Sequence, residues 1–217
     1  MTEKQIFTFL KDSGMTNAGV AGLMGNLYAE SALRSINLQN SGERKLGMTD
    51  AEYTQAVDNG TYDNFVRDSQ GYGLAQWTYW SRKQALLKFA QSKGVSIGDC
   101  KMQCEYLIKE IKGYKAVWKI LTTTNDVREA SNAVMLQYER PANQSESAQV
   151  KRYKYSMEFY YKYVEDKPKA EEPVKETVPA CVTEMAKLVI KGMFGNGEAR
   201  KENIYRAVQN EVNRLCK

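Results

Sequence analysis

Three glycines, Gly19, Gly22 and Gly25, recur at every third position of a segment that is otherwise apolar and suited to a helix. A glycine inside a helix costs about 1 kcal/mol relative to alanine, so such a series is retained mainly where other backbones approach closely. The apolar residues follow the i, i+3, i+4, i+7 spacing of one helical face: Val20, Leu23, Met24 and Leu27. With Asn17 as candidate N-cap residue, the segment predicts a central helix of a helical domain.

Glu30 stands at the end of this predicted helix. It lies three residues after Leu27 and therefore on the flank of the apolar face. Desolvation raises the pKa of a half-buried carboxyl, which can then hold a proton near neutral pH and act as a general acid. A surface glutamate at a fraying helix end is the alternative. The glycine series favours the buried position, and Glu30 is therefore a candidate catalytic acid.

The chain contains no histidine in its 217 residues. This excludes Ser-His-Asp and Cys-His catalysis and the His-bearing zinc sites of hydrolases. Cys100 and Cys104 lie one helical turn apart without the companions of a metal site, so neither a metal nor another cofactor is expected. Carboxylate chemistry remains, and its commonest use is glycoside cleavage, in which one carboxyl protonates the leaving oxygen.

Residues 71–78 read Gly-Tyr-Gly-Leu-Ala-Gln-Trp-Thr. The glycines on either side of Tyr72 permit positive φ and a close approach of the main chain to a ligand. Gln76 and Trp77 offer an amide and an indole, which suit the hydroxyl groups and the apolar face of a sugar. A tight turn around a core tryptophan is the alternative. We expect Tyr72, Gln76 and Trp77 to line a polymer-binding cleft.

Three segments in a fixed order carry a resemblance to a known family: Ala29-Glu30-Ser31, residues 71–78, and Gln137-Tyr138-Glu139-Arg140-Pro141-Ala142-Asn143. Over roughly residues 5–163 the chain resembles the phage lysozymes of the tail-tip and endolysin type, which are related in fold to goose-type lysozymes and soluble lytic transglycosylases. The resemblance implies an α+β, mostly helical, lysozyme-like fold. It also implies cleavage of the β-1,4 bond between N-acetylmuramic acid and N-acetylglucosamine in peptidoglycan, with Glu30 as the catalytic acid.

Members of this wider superfamily differ in whether they use a second carboxylate. Asp58, Asp63 and Asp68 all lie between the first two motifs. We favour Asp68 as the second catalytic residue, because a loop just before Gly71 could reach across to Glu30. The alternatives are that Asp68 organises the turn and that Asp58 belongs to a helix stop.

The third motif adds Tyr138 and Glu139 as candidate substrate-binding residues. Glu139 stands beside Arg140, so an ion-paired structural carboxylate is the alternative to a functional one.

The rest of this region has the pattern of a helical scaffold. Capping boxes are predicted at Thr2 with Gln5 and at Thr49 with Glu52. Further helices are predicted over Ser81–Ser92, Asp99–Lys112, Asp126–Tyr138 and Ser147–Val164. The last of these should pack through Val150, Tyr153, Met157, Tyr160 and Val164. The segment Asn64–Trp77 lacks a helical period, so any small sheet belongs there.

Composition changes abruptly at residue 165. Residues 165–180 contain three of the chain's four prolines and no aromatic residue, which is typical of an extended, semi-rigid linker. The sequence therefore predicts a catalytic domain over residues 1–164 and a second domain over residues 181–217. The second is near the lower size limit for unaided folding.

The tail carries a second resemblance. Its segments Ala-Lys-Leu-Val-Ile-Lys-Gly-Met-Phe-Gly-Asn-Gly (186–197) and Val-Gln-Asn-Glu-Val-Asn (208–213) resemble the CW_7 type of cell-wall-binding repeat, which implies a small three-helix bundle. Gly197, Arg200 and Asn213 are the candidate wall contacts. Turn geometry and solvated charge are the alternative explanations of these residues.

Charge and hydropathy limit the kinds of partner that the protein can bind. The net charge is +5, and both predicted domains are positive, which favours an anionic wall rich in teichoic acids. The sequence has no basic cluster interleaved with aromatics and no apolar signal or membrane-spanning segment. We therefore expect neither a nucleic-acid partner nor membrane insertion, but an endolysin-type muramidase made in the host cytoplasm and acting on bacterial peptidoglycan, with Gram-positive walls favoured.

Three alternatives stay open at this point. The protein could be a component of the virion tail rather than a free endolysin. It could be a lytic transglycosylase on the same bond, or a non-catalytic wall-binding or tail structural protein.

Overall fold

A computed structural model of the chain describes residues 1–164 and 203–208. The chain divides into two units, Met1–Lys167 and Pro168–Lys217. The helices described in the first unit are α1 (Glu3–Asp12), α2 (Asn17–Ser31), α3 (Asn40–Leu46), α4 (Asp50–Asp58), a 3₁₀-helix (Asp63–Val66), α5 (Trp80–Lys93), α6 (Cys100–Gly113), α7 (Lys115–Thr123), α8 (Val127–Ala133), a π-helix (Val134–Glu139) and α9 (Glu146–Tyr163). In the second unit, residues 203–208 are helical. The rest of the predicted linker and three-helix bundle lies outside the described residues.

Helix α2 is buried on every side, as the glycine series predicted. All residues of Ala18–Leu27 are buried, so the helix packs around its whole circumference rather than along one apolar face. A Cβ atom added at Gly19 would lie 2.0 Å from the Leu121 carbonyl oxygen. At Gly22 it would lie 2.5 Å from the Ala130 Cβ, and at Gly25 it would lie 2.1 Å from the Ser156 Oγ. The glycines therefore allow α7, α8 and α9 to approach the α2 backbone.

Local capping signals also formed as predicted, with one exception. Both capping boxes are present, Thr2 with Gln5 and Thr49 with Glu52. The N-cap of α2 is Thr16 rather than Asn17, because the Thr16 hydroxyl accepts a hydrogen bond from the Gly19 N–H at 2.9 Å. The same hydroxyl donates to the Thr124 carbonyl oxygen at 2.6 Å. This second bond ties the start of α2 to the end of α7, which a cap at Asn17 would not do.

Helices α5, α6 and α9 begin and end within one residue of their predicted bounds. The predicted helix Asp126–Tyr138 is confirmed in extent but divides into α8 and the π-helix. Helices α3 and α7 were not predicted. Helix α7 follows α6 directly, with Tyr114 serving as the C-cap of one and the N-cap of the other.

Helix α9 packs only partly through the predicted face. Tyr153, Met157, Tyr160 and Val164 are partly buried and pack against the core as predicted, but the fully buried residues are Arg152, Ser156 and Phe159. The reason is the close contact with α2, where the small Ser156 lies against Gly25. Arg152 is therefore buried, which the spacing of apolar residues in α9 could not predict.

The expected small sheet is absent from the described residues. They contain two isolated antiparallel bridges, between Leu38 and Tyr72 and between Tyr72 and Trp77. Positive φ at Ser69, Gly73 and Gln76 turns the chain too often for longer strands to pair. The described part of the first unit is thus mostly helical, as expected, and the α+β part of the expectation is not confirmed.

Candidate functional site

A cleft of about 670 Å³ opens at the C-terminal end of α2. It is lined by Glu30, Asn37, Gln39, Asn40, Ser41, Ala75, Gln76, Thr78, Tyr79, Arg82, Glu139, Arg140 and Pro141. The fold therefore brings residues of all three sequence motifs to one cleft. Most of the lining side chains are amides, hydroxyls or charged groups, which suits a ligand rich in hydroxyl and amide groups.

Glu30 is fixed at the mouth of this cleft by the residues that follow it. The Ser31 hydroxyl donates to the Leu74 carbonyl oxygen at 2.8 Å, which ties the end of α2 to the second motif. The chain then turns through Ala32 and Leu33, both with positive φ. The Glu30 side chain stays 22% exposed, so its carboxyl reaches the cleft.

Strained residues occur in the cleft lining and directly after Glu30. Gln76 and Arg140, as well as Ala32 and Leu33, are non-glycine residues with φ between 44° and 59°. A non-glycine residue in this conformation costs on the order of 1 kcal/mol or more, and such residues cluster at functional sites.

Arg152 joins two carboxylates beneath the cleft. Its Nη1 donates to the Glu139 carboxylate at 2.6 Å, and its Nη2 donates to Glu30. A further bond from Nη1 reaches the Asn26 amide oxygen at 3.2 Å. Sequence reasoning missed Arg152. The only available signal was a basic residue four positions before Ser156 and seven before Phe159, on one face of α9.

Glu139 is the more deeply placed of the two acids, with its side chain only 4% exposed. Burial and the nearby negative charge of Glu30 together raise its pKa to about 8, although Arg152 opposes both effects. Its Oε1 has no hydrogen-bond partner within the described residues. A carboxyl in this position holds its proton at neutral pH.

The π-helix explains how Glu139 reaches this position. Arg140 ends the π-helix with a left-handed residue, and its N–H donates to the Met135 carbonyl oxygen at 2.9 Å. The wider turn directs Tyr138 and Glu139 to two different buried sites. Single π-turns of this kind occur frequently at functional sites.

Tyr138 and Trp77 lie in the core rather than in the cleft. Both donate hydrogen bonds to the Glu110 carboxylate, the Trp77 Nε1 at 3.0 Å. Glu110 also accepts two bonds from Arg82, at 2.8 and 2.7 Å. Arg82 lines the cleft. Trp77 and Tyr138, which were predicted to bind sugar, therefore contact the carboxylate that holds Arg82 in place and do not line the cleft themselves.

The remaining residues of the second motif divide in the same way. Tyr72 is fully buried, and its hydroxyl is 2.6 Å from that of Thr54, so it is a core residue. Gln76 lines the cleft, and its Nε2 donates to the Asn37 carbonyl oxygen at 2.9 Å. Of the three side chains expected from this motif, the structure brings only Gln76 to Glu30.

Asp68 does not reach the cleft. It forms a buried ion pair with Lys83, the Nζ being 2.5 Å from Oδ1, and it also accepts hydrogen bonds from Tyr53 and from the Gln70 N–H. Asp68 thus organises the turn, as the alternative prediction had it, and it also neutralises the buried Lys83 ammonium. The reason is the position of Lys83 on α5: burying its ammonium requires a carboxylate partner.

The other two aspartates are also absent from the cleft lining. Asp58 accepts hydrogen bonds from Ser96 and from the Ile97 N–H at 2.9 Å, and Asp63 begins the 3₁₀-helix. No group of three or more Cys, Asp or Glu residues in the described chain could hold a metal ion. Gly197, Arg200 and Asn213 lie outside the described residues.

Comparison with known families gives two matches. A family model described as phage tail lysozyme matches residues 1–163, and one described as CW_7 repeat matches residues 183–216. The first match contains every residue of the cleft. A lysozyme domain followed by a cell-wall-binding repeat supports a peptidoglycan-lytic role. Among the residues described, no helix is long and apolar enough to cross a membrane.

Proposed function

This chain belongs to the phage tail lysozyme family, and from that premise we propose that it is a muramidase. It hydrolyses the β-1,4 bond between N-acetylmuramic acid and N-acetylglucosamine in peptidoglycan, with Gram-positive walls as its target. The observation that carries the proposal is the pair of carboxyl groups, Glu30 and Glu139, that share Arg152 at the cleft.

The pair supplies a proton near neutral pH. Two carboxylates close together resist simultaneous ionisation, and burial places the retained proton on Glu139. Arg152 fixes the geometry of both side chains. The proton is therefore available at the cleft at a pH where a glutamate with the ordinary pKa of 4.5 has lost it.

Glu30 takes up this proton from Glu139, which becomes a carboxylate, and passes it to the leaving oxygen as the glycosidic bond breaks. Its side chain is 22% exposed against 4% for Glu139, so Glu30 is the carboxyl that a sugar in the cleft can touch. Glu139 acts through Glu30, as a positioning residue that keeps the proton in the pair. Arg152 then stabilises the negative charge that remains after the transfer.

The nucleophile is water, which the amide and hydroxyl side chains of the cleft would hold. Its oxygen bonds to the anomeric carbon, and the proton that it releases returns to the Glu30–Glu139 pair. In the described lining, the only carboxylates are Glu30 and Glu139, and both contact Arg152. This same observation favours a second candidate, a lytic transglycosylase, in which the 6-hydroxyl of the substrate replaces water. The transglycosylase product is a 1,6-anhydro sugar that is lighter by one water, so mass spectrometry of digested muropeptides separates the two reactions.

Glu30→Gln tests the assignment itself. The amide keeps the size of the side chain but carries no transferable proton, so lysis of purified walls should fall about 10²- to 10⁴-fold in a variant that still folds. Glu158→Gln, at an exposed position of α9 outside the cleft, is the matched control. Near-normal lysis by the Glu30 variant would remove the catalytic role and favour a wall-binding or tail structural protein.

The second unit serves as a wall anchor in this proposal. A CW_7 repeat over residues 183–216, joined by the proline-bearing segment 165–180, would hold the lysozyme domain near an insoluble polymer. Such a tether raises the effective concentration of the enzyme without adding contacts at the cleft. Synthesis in the host cytoplasm, with action on the wall as an endolysin or from a virion tail, is the accompanying proposal.

A further inference from the structure

Two neighbouring aromatic side chains are exposed where α5 begins. Tyr79 is 63% exposed and Trp80 is 50% exposed, the highest values for aromatic residues within residues 1–164. Their ring centroids lie 6.0 Å apart with an angle of 45° between the planes. Tryptophan is highly buried on average, and a pair of exposed rings is a typical sign of a binding surface.

The local sequence gives these rings no structural role. Tyr79 occupies the N-cap position of α5 and makes no side-chain capping bond. Serine, threonine or aspartate at that position would stabilise the helix by about 1 kcal/mol. A residue that departs from the local preference without a compensating contact points to a function outside the fold.

Tyr79 is also continuous with the cleft. It lines the cleft together with Thr78 and Arg82, one turn into α5. The other lining side chains are mainly polar, so Tyr79 adds an aromatic surface at one rim, and Trp80 extends that surface outward. Pyranose rings combine hydroxyl groups at their edges with apolar C–H faces, which pack on aromatic rings.

We propose that Tyr79 and Trp80 form an additional saccharide-binding subsite, at which a sugar of the glycan strand beyond the cleaved bond stacks on the two rings. This inference rests on the proposed function, since it extends the strand that occupies the cleft. Binding energy gained at such a remote sugar holds the strand in register with Glu30 and favours long strands over short ones.

Binding of soluble, uncross-linked strands of alternating N-acetylglucosamine and N-acetylmuramic acid tests the subsite. The full-length chain with Glu30→Gln is titrated calorimetrically with strands of two, four, six and eight sugars, so that no bond is cleaved. Affinity should rise at the length that reaches the rings. Adding Trp80→Ala or Tyr79→Ala should remove that step and weaken binding of the longer strands about tenfold.

Matched controls isolate the effect of the two rings. Tyr161→Ala removes a tyrosine of similar exposure, 49%, that does not line the cleft, and it should leave the affinity series unchanged. Trp80→Phe, which keeps an aromatic face, should retain most of the step. The second unit is identical in every variant and contributes equally to each titration.

The result that overturns the inference is an unaltered length dependence in both alanine variants, with melting temperatures equal to that of the Glu30→Gln parent. An equal loss in the Tyr161 variant would also overturn it, because the effect would not be local. Neither outcome bears on catalysis, which the Glu30→Gln lysis assay tests separately.

Discussion

At the scale of single residues, the chemistry of the cleft is set by unequal burial of two identical side chains. Glu30 and Glu139 both contact Arg152, but only Glu139 is nearly excluded from solvent. Ionisation without water is unfavourable, which raises the pKa of the buried Glu139 carboxyl, whereas the Glu30 carboxyl is more exposed in the cleft. In the proposed mechanism, this difference in burial makes Glu139 the residue that retains the proton and Glu30 the residue that contacts the sugar.

Glu139→Gln should change both the pH profile and the pH dependence of stability. In the wild type, activity should decline as pH rises through about 8, where Glu139 loses its proton. The amide can accept the bond from Arg152 but supplies no proton. Activity at pH 7 should therefore fall about 10²-fold, with the alkaline limb at lower pH. Initial rates on purified walls from pH 4 to 10 measure this, and an unchanged alkaline limb would contradict the role of Glu139.

The stability effect has a definite sign. The folded-state pKa of Glu139 lies above its ordinary value of 4.5, so between about pH 4.5 and 8 the folded chain holds a proton that the unfolded chain has lost. The contribution of Glu139 to the free energy of unfolding is thus full below pH 4.5 and decreases as pH rises towards 8. The free energy of unfolding of Glu139→Gln, measured relative to wild type, should therefore increase as pH rises across that window. Urea unfolding at pH 5, 7 and 9 measures this difference.

Asp68→Asn should impair folding rather than chemistry. The substitution leaves the fully buried Lys83 ammonium without its carboxylate, and breaking a buried pair in this way costs about 3–5 kcal/mol. Thermal unfolding measures the loss, and the double variant Asp68→Asn/Lys83→Met should recover part of it. Activity per folded molecule should stay close to wild type. A large loss of activity at an unchanged melting temperature would contradict this prediction and support a catalytic role for Asp68.

At the scale of secondary-structure elements, the cleft depends on how closely the helices pack. Helix α2 carries Glu30, α9 carries Arg152, and the π-helix carries Glu139. Contact between α2 and α9 occurs through Gly25 and Ser156. A change at that contact therefore alters the Arg152 bond to Glu30 without touching either residue.

Gly25→Ala should destabilise the lysozyme domain and reduce lysis together. The added Cβ would lie 2.1 Å from the Ser156 Oγ and 2.5 Å from the backbone nitrogen of Ser156. Backbone has to move to relieve the overlap, which costs about 1–3 kcal/mol or more and exceeds the gain of about 1 kcal/mol in helix propensity. The control is Gly113→Ala at the end of α6, where a Cβ meets nothing within 4 Å. That variant should be neutral or slightly more stable, and equal melting temperatures for the two variants would contradict the packing argument.

At the scale of the whole molecule, the proposed function places catalysis and retention on the wall in different parts of the chain. The phage tail lysozyme match ends at residue 163 and the CW_7 match begins at residue 183. The intervening residues include three prolines, as expected of a spacer. Both functions act on one insoluble polymer, which makes a tether effective.

Removal of residues 165–217 should separate these functions. The shortened chain should still cleave soluble glycan strands, but clear intact cells more slowly, with a larger deficit at high salt. The charge-based part of the attraction is screened within about 8 Å at physiological ionic strength. Turbidity loss of cell suspensions and product formation from soluble strands measure the two effects. A shortened chain inactive on soluble strands would show that the tail belongs to the catalytic fold. An isolated tail that fails to sediment with walls at low salt would contradict its proposed role as a wall anchor.

The sequence by itself determined features that depend on neighbours along the chain. The spacing of Gly19, Gly22 and Gly25 established a central helix, the two capping boxes established helix starts, and the lack of histidine restricted the chemistry to carboxylates. Glu30 was located because it ends that helix. The structure agrees with the central helix and with both capping boxes, while the restriction to carboxylate chemistry stays a prediction.

Only the tertiary structure decided which polar groups meet. Arg152 lies 122 positions from Glu30, Asp68 is paired with Lys83, and Trp77 and Tyr138 turn inward to Glu110. Periodicity assigns a residue to a face of an element, but a buried charge or indole takes the partner that the packing of distant elements brings within hydrogen-bond distance. The second carboxylate of the cleft therefore came from the π-helix, and not from the loop that precedes Gly71.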